Sequence, residues 1–179
     1  MTGSGRFQGV VLVGFMGSGK SSVGKALARK IGAQFVDVDE RIEAAAGRKI
    51  RDLFAEEGEA AFREREKAAL REVLSERGRI VATGGGAFLD EGNRALLKRY
   101  APVVYLEASP EAVLERLSGD VDRPLLRGGA HERIVRDLLT RRVPGYRQAD
   151  FTVNTDGRTV DEVAGNVLAL FEGRGGRES

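Results

Sequence analysis

Short apolar segments alternate with longer amphipathic segments along most of this chain. Val10–Val13 is an apolar run of strand length, and Val23, Ala26, Leu27 and Ile31 then recur at the spacing of a helix face. The same alternation continues to about residue 171. Repeated strand–helix units are typical of an α/β fold with a parallel sheet. We therefore predict five short strands in one parallel sheet, with helices packed on both faces as a three-layer sandwich.

Further apolar runs and turn residues define the remaining elements. The predicted strands after the first are 34–37, 79–82, 102–106 and 151–153. Helices are predicted over about 20–31, 40–46, 49–57, 59–77, 90–100, 109–117, 132–146 and 160–171. Gly32 suits a helix C-terminus, and Ser109 followed by Pro110 suits a helix N-terminus. Residues 7–172 are predicted to form a single domain, with disordered ends over 1–6 and 173–179.

The loop after the first strand carries the most specific motif in the chain. The residues from Gly14 to Ser21 read GFMGSGKS, which fits the phosphate-binding P-loop pattern G-x-x-x-x-G-K-[ST]. Glycines allow successive backbone N–H groups to point into one concavity, and the following helix N-terminus favours an anion. Lys20 is expected to reach the β- and γ-phosphates of a nucleotide, and the Ser21 hydroxyl to bind Mg²⁺. The alternative is an ordinary glycine-rich turn.

Composition excludes several other kinds of chemistry. The chain has 179 residues, no Cys and 1 His, so disulfides, thiolate catalysis and a multi-His zinc site are ruled out. Formal net charge is +2, and most of the 29 basic residues are Arg, the side chain best suited to bind phosphate and carboxylate. No signal peptide or membrane-spanning apolar stretch is visible. We predict a cytoplasmic monomer that binds small molecules, without nucleic-acid or membrane partners.

Two carboxylates follow the second predicted strand. Asp37 and Asp39 lie at its C-terminal end, which is where ligands bind in open parallel sheets. Strict strand alternation would point the two side chains in opposite directions, but both can line one cleft if the strand ends there. Asp39 could instead act as the N-cap of the helix over 40–46.

Glycines and a charged pair provide two further candidates. Thr83 is followed by Gly84, Gly85 and Gly86 at the end of the third strand, which suits close approach of a ligand to bare backbone. The alternative is a tight strand–helix turn. Arg63 and Glu66 are three residues apart on one predicted helix, and composition alone favours a surface ion pair.

The segment 118–130 breaks the regular pattern. It is rich in glycine, and Arg116, Arg123 and Arg127 lie in or beside it. An arginine-bearing loop in a phosphate-binding protein is typical of a lid that closes over a transferring phosphoryl group. A solvated surface loop is the alternative. Together, the P-loop, carboxylates, glycines and arginines predict a kinase for a small hydroxy acid, because arginines suit a substrate carboxylate and an aspartate suits a hydroxyl.

Six segments, taken in order, resemble the shikimate kinase family over nearly the whole chain. They are GFMGSGKSSVG at 14–24, FVDVD at 35–39, FRERE at 62–66, TGGG at 83–86, RPLL at 123–126 and RVPGY at 142–146. The resemblance implies a P-loop, nucleoside monophosphate kinase-like fold with sheet order 2-3-1-4-5, and a lid at 118–130. It implies transfer of the ATP γ-phosphoryl group to the 3-hydroxyl of shikimate, in aromatic amino-acid biosynthesis.

The same resemblance assigns roles to individual residues. It implies nucleotide binding by Gly17, Ser18, Gly19, Lys20, Ser21, Ser22, Arg116 and Arg123. It implies shikimate binding by Asp39, Arg63, Gly84, Gly85, Gly86 and Arg142, within a substrate region of about 37–66. Lys20, Asp39 and Arg123 are the implied catalytic residues, and Ser21 and Asp37 (through water) the implied Mg²⁺ ligands. Glu66 would then orient Arg63 instead of forming a surface pair.

Departures from the family pattern leave some details open, and two other functions stand as separate alternatives. Ser22 stands where many family members have Thr, residues 117–120 are not a clean match, and His131 is given no role. Another P-loop kinase of a small hydroxy acid, such as gluconate kinase, would share most of these features. A nucleotide-binding regulatory module without turnover is the second alternative.

Overall fold

Five parallel strands form one sheet in a computed structural model, which describes residues 7–118 and 129–172. The strands are β1 Val10–Val13, β2 Gln34–Asp37, β3 Arg79–Ala82, β4 Val103–Glu107 and β5 Phe151–Asn154. Their order across the sheet is β2-β3-β1-β4-β5, and every neighbouring pair is parallel. The predicted α/β class, the strand count and the 2-3-1-4-5 order are confirmed.

Helices connect the strands and cover the sheet. Those in the described ranges are α1 Lys20–Ile31, α2 Val38–Ala46, α3 Ile50–Val73, α4 Glu91–Tyr100, α5 Pro110–Ser118, α6 Gly129–Tyr146 and α7 Val160–Glu172. A 3-10 turn, Ala87–Leu89, precedes α4. Over this part of the chain, none of the helices has the length and apolar character that crossing a membrane requires.

Alternate residues of the central strand β1 enter two different cores. Val10 and Leu12 of β1 are buried against α1 and α7, whereas Val11 and Val13 are buried against the helices on the opposite face. Both faces of β1 are therefore apolar, as expected for a parallel strand covered on both sides. Because both faces are covered, the strands appear in the sequence as continuous apolar runs. The three-layer prediction is confirmed.

The predicted helix boundaries were wrong in three places. The helix expected to reach residue 77 ends at Val73, because the chain must turn at Gly78 (φ 79°) to enter β3. The helices expected on either side of Gly58 form one run, α3, which is kinked where Gly58 adopts φ 80° and ψ 172°. In addition, α6 begins at Gly129, three residues before the predicted start.

The register of the central strands places three loops side by side. Ala82 at the end of β3 pairs with Leu12 of β1 on one side and with Asp37 of β2 on the other. The segment after β3 consequently lies between the loop after β1 and the start of α2. Residues 1–6, 119–128 and 173–179 lie outside the described residues, so the predicted disordered ends and most of the predicted lid, with Arg123, stay predictions.

Candidate active site

The loop after β1 has the backbone that its glycines predict. Gly14, Gly17 and Gly19 adopt φ values of 148°, 74° and 92°, which residues with a side chain rarely adopt. A Cβ on Gly14 would also lie 2.7 Å from the Leu106 carbonyl oxygen and 2.8 Å from Ser18 Oγ. Any larger residue would therefore distort the loop, and the interpretation as an ordinary turn does not explain so many constrained positions.

Two side chains at the start of α1 connect this loop to its surroundings. Lys20 Nζ donates to the carbonyl oxygens of Gly14 and Phe15, each at 2.9 Å, and so crosses the mouth of the loop. Ser21 Oγ donates to Asp37 Oδ2 at 2.5 Å. The hydroxyl and the carboxylate that the resemblance assigns to Mg²⁺ are thus direct neighbours, although they are 16 residues apart in the chain.

The two aspartates after β2 have different roles in the local structure. Asp37 is the N-cap of α2, and its Oδ1 accepts from the N–H groups of Asp39 (3.0 Å) and Glu40 (3.4 Å). The alternative in which Asp39 caps the helix is therefore wrong. Because capping is done by Asp37, the Asp39 carboxylate is available for the cleft, and its Oδ1 lies only 2.6 Å from where a Cβ on Gly84 would be.

The Asp39 carboxyl group is hard to ionise in this position. Burial, followed by the neighbouring Asp37 carboxylate, raises its pKa to about 6, and the Lys20 charge opposes this rise. Glu66 and Glu43 add smaller unfavourable charges. A carboxyl group that titrates close to neutral pH is suited to exchange a proton with a bound hydroxyl.

Arg63 and Glu66 form an ion pair whose carboxylate is buried and whose guanidinium is half-buried, not the surface pair that composition favoured. Arg63 Nη1 donates to Glu66 Oε2 at 2.9 Å, and the Glu66 side chain is only 2% exposed. Glu59 accepts a second bond from Arg63 Nη2 at 3.2 Å, and the guanidinium lies over the Phe62 ring at 5.5 Å. Burial raises the pKa of Glu66, and the Arg63 charge opposes that rise. Such enclosure fixes the direction of the guanidinium.

The three glycines after β3 are the point where the other candidates meet. An added Cβ would lie 2.6 Å from Asp39 Oδ1 at Gly84 and 2.9 Å from Arg63 Nη2 at Gly86. At Gly85 it would lie 3.5 Å from Arg142 Nη1. The segment is also a turn into the 3-10 turn 87–89, so the tight-turn alternative is correct as geometry. It does not explain why a carboxylate and two guanidinium groups surround bare backbone.

Two aromatic residues in this region were missed by the sequence analysis. The Arg142 guanidinium lies over the Phe15 ring at 5.7 Å, so a residue inside the P-loop supports an arginine from α6. Tyr146, one turn after Arg142, is completely buried and donates a hydrogen bond to the Gly85 carbonyl oxygen. The spacing of four residues between Arg142 and Tyr146 was the signal that could have pointed to a shared helix face.

Arg116 lies on the other side of the P-loop. Its Nη1 donates to the Gly17 carbonyl oxygen at 3.1 Å and to Thr155 Oγ1 at 3.0 Å, and its Nη2 donates to the Thr155 carbonyl oxygen at 2.9 Å. It thereby connects the P-loop to the turn after β5. Ser18 is buried within the loop, whereas Ser22 is exposed on α1.

The fold and the arrangement of these residues define a P-loop kinase. A sequence model of the family described as shikimate kinase matches residues 16–172. A shikimate kinase from Stenotrophomonas maltophilia is 46% identical over 160 residues, which cover 89% of each chain. One from Thermodesulfovibrio yellowstonii is 41% identical over 163 residues, covering 91% of this chain and 94% of the relative.

A solved structure gives the same result. Shikimate kinase from Acinetobacter baumannii, in complex with shikimate, is 40% identical and superimposes with a TM-score of 0.87 over 94% of both chains. This chain belongs to the shikimate kinase family. The family resemblance inferred from the six sequence segments is confirmed.

Proposed function

We propose that this protein transfers the γ-phosphoryl group of ATP to the 3-hydroxyl of shikimate, giving shikimate 3-phosphate and ADP. The observation that supports this most strongly is the convergence of Asp39, Arg63 and Arg142 on the glycines at 84–86, beside the P-loop. Two guanidinium groups suit the carboxylate of a hydroxy acid, and the aspartate suits one of its hydroxyls. The family to which the chain belongs acts on shikimate.

The donor side fits a nucleotide with Mg²⁺. The backbone of residues 14–19 and the Lys20 ammonium offer donors to phosphate oxygens, and Arg116 extends this side toward Thr155. In the described ranges there is no cluster of three or more acidic or His side chains that could hold a metal ion. Mg²⁺ in kinases is held by one or two protein oxygens together with phosphates and water, so Ser21 Oγ and Asp37 Oδ2 fit it. When bound, the ion would neutralise phosphate charge.

The acceptor side explains how one hydroxyl could be selected. Arg63, held by Glu66, and Arg142, held over Phe15, would bind the substrate carboxylate from two directions. Fixing the carboxylate at one end of a rigid ring also fixes the hydroxyls at the other end. Asp39 would accept a hydrogen bond from the attacking hydroxyl and take its proton as the bond to phosphorus forms.

Charge stabilisation during transfer is assigned to two cationic side chains. Lys20 lies at the P-loop, and Arg123 is predicted to approach from the lid, outside the described residues. We further propose that residues 7–172 act as a single kinase domain and that the protein is a cytoplasmic monomer. No nucleic-acid or membrane partner is needed for this chemistry.

A shikimate-dependent ADP-release assay tests the proposal directly. Purified protein is incubated with ATP and Mg²⁺, and then with shikimate, gluconate or a nucleoside monophosphate as acceptor. We expect ADP release to depend on shikimate and product analysis to give shikimate 3-phosphate. Release with gluconate in preference to shikimate would favour the other hydroxy-acid kinase, and nucleotide binding without release would favour a regulatory module.

A further inference from the structure

Tyr146 joins helix α6 to the glycine segment of the acceptor pocket. It is completely buried at the end of α6, and its ring stacks on Tyr105 with 5.1 Å between the centroids. Its hydroxyl donates to the carbonyl oxygen of Gly85, 61 residues earlier in the chain. Buried tyrosine hydroxyls usually have a hydrogen-bond partner, and the partner of this one is in the pocket wall.

Because a peptide group is rigid, the hydrogen bond from the Tyr146 hydroxyl restrains the whole peptide group that contains the Gly85 carbonyl. The Gly85 carbonyl and the Gly86 N–H belong to the same planar unit, which is trans because the described residues contain no cis peptide bond. The two groups therefore point in opposite directions. Anchoring the carbonyl to Tyr146 fixes the direction of the Gly86 N–H, at a residue whose added Cβ would lie 2.9 Å from Arg63 Nη2.

The glycines themselves cannot supply this restraint. Gly84, Gly85 and Gly86 have no side chains that could pack, and glycine is the residue with the greatest backbone freedom. The Ala87 N–H donates to the Gly84 carbonyl oxygen at 3.1 Å and closes a turn around the peptide between Gly85 and Gly86, and the Tyr146 hydroxyl adds an anchor to that peptide from outside the segment. Tyr146 is well suited for this purpose, because its ring is held between the stacked Tyr105 and the rest of the core.

Arg142 belongs to the same arrangement. It precedes Tyr146 by four residues on α6, and its Nη1 lies 3.5 Å from the position of a Cβ on Gly85. Burial raises the pKa of the Tyr146 hydroxyl, while the nearby Arg142 guanidinium opposes that rise. One helix face therefore brings both a guanidinium and a hydroxyl to a single peptide of the pocket wall.

We propose that Tyr146 is a positioning residue for the acceptor substrate. Its hydroxyl sets the orientation of the peptide between Gly85 and Gly86 and aligns that peptide with Arg142. This inference rests on the proposed function, since it concerns the pocket that would bind shikimate. Acceptor binding should depend on the hydroxyl, whereas nucleotide binding on the other side of the P-loop should not.

Replacement of Tyr146 by Phe removes the oxygen and keeps the ring stack. We expect KM for shikimate, and its dissociation constant measured by calorimetry, to rise about tenfold, with KM for ATP changing less than about twofold. Tyr105→Phe is the matched control: it removes a buried hydroxyl from the same ring pair, and that hydroxyl has no hydrogen-bond partner in the described residues. Tyr105→Phe should leave both KM values unchanged.

Several outcomes would overturn this inference. Unchanged shikimate affinity in Tyr146→Phe would do so, as would equal changes in the two KM values or an equal effect of Tyr105→Phe. The proposed function is checked separately with the wild-type protein. If wild-type protein releases no ADP with shikimate, the function itself fails; if it does and Tyr146→Phe behaves like wild type, only the positioning role fails.

A measurement on the unsubstituted chain covers the case in which Tyr146→Phe does not fold. The chain has 3 Tyr, so incorporation of 3-fluorotyrosine gives three ¹⁹F resonances. Tyr100→Phe and Tyr105→Phe assign two of them, and Tyr146 is the third. We expect saturating shikimate to shift the Tyr146 resonance more than the Tyr100 resonance, and ADP alone to shift neither. A Tyr146 resonance that does not respond to shikimate would overturn the proposal.

Discussion

Replacement of Asp39 by Asn should make the protein more stable and less active at neutral pH. Burial, Asp37 and the other nearby carboxylates raise the pKa of Asp39 from 3.8 to about 6, so the folded state resists ionisation of this group. Between these two pKa values the folded protein binds more protons than the unfolded chain, and stability falls as pH rises. Asn carries no charge, so the stability of the Asp39→Asn variant does not decrease in this way as pH rises.

The size of the effect follows from the two pKa values. The loss of wild-type unfolding free energy attributable to Asp39 is less than about 1 kcal/mol at pH 4 and about 3 kcal/mol at pH 8. The stability difference between Asp39→Asn and wild type should therefore widen by roughly 2 kcal/mol from pH 4 to pH 8. Most of the widening should occur between the two pKa values.

Urea unfolding at several pH values measures this difference, since the pH dependence of the other groups largely cancels between the two proteins. Glu40→Gln is a suitable control, because Glu40 is an exposed carboxylate in the same turn of α2. In parallel, the wild-type kcat/KM for shikimate should decrease as the pH is lowered past about 6, the pKa of Asp39. The Asp39→Asn variant should lose at least about 100-fold in kcat. A stability difference that stays constant or narrows toward pH 8 would refute the reasoning.

Three further predictions concern binding, transfer and packing. Arg63→Ala should raise KM for shikimate about tenfold or more in steady-state assays and leave KM for ATP nearly unchanged. Arg123→Ala should lower kcat by roughly 10³-fold or more with a much smaller effect on KM for shikimate; the reverse pattern would exclude a catalytic lid role. Gly24→Ala should cost about 1–3 kcal/mol in urea unfolding, because the new Cβ would lie 2.2 Å from the Phe35 ring. Gly165→Ala, in a helix position with nothing within 4 Å, should be neutral or stabilising.

Most of the fold could be predicted because its determinants are local. Four-residue apolar runs such as Val10–Val13 are read as buried strands, since both faces of a parallel strand are covered. Glycines mark several turns, as at Gly32 and Gly47, which both end helices in the left-handed conformation. The exact end of α3 could not be predicted, because it depends on how the chain must turn at Gly78 to reach β3.

The donor side of the candidate site was also readable from the sequence. The P-loop is a contiguous motif, and its glycines are required by local backbone angles at Gly14, Gly17 and Gly19. Its function depends on backbone N–H groups that the loop itself provides. The order of six motifs then identified the family, although the residues in those motifs are spread over more than 130 positions of the chain.

The family resemblance named the residues of the acceptor side, but their burial and contacts were decided only by tertiary structure. Whether Arg63 and Glu66 are a surface pair or a buried pair depends on what packs over α3, and the tertiary packing leaves the Glu66 side chain only 2% exposed. Likewise, Asp37 and not Asp39 caps α2, which leaves Asp39 available at the glycine segment. Tyr146 reaches Gly85 because α6 packs against the 3-10 turn 87–89 that follows the glycines. Local sequence determines backbone conformation and the contiguous phosphate loop, whereas burial, pKa and long-range contacts arise only when distant elements pack together.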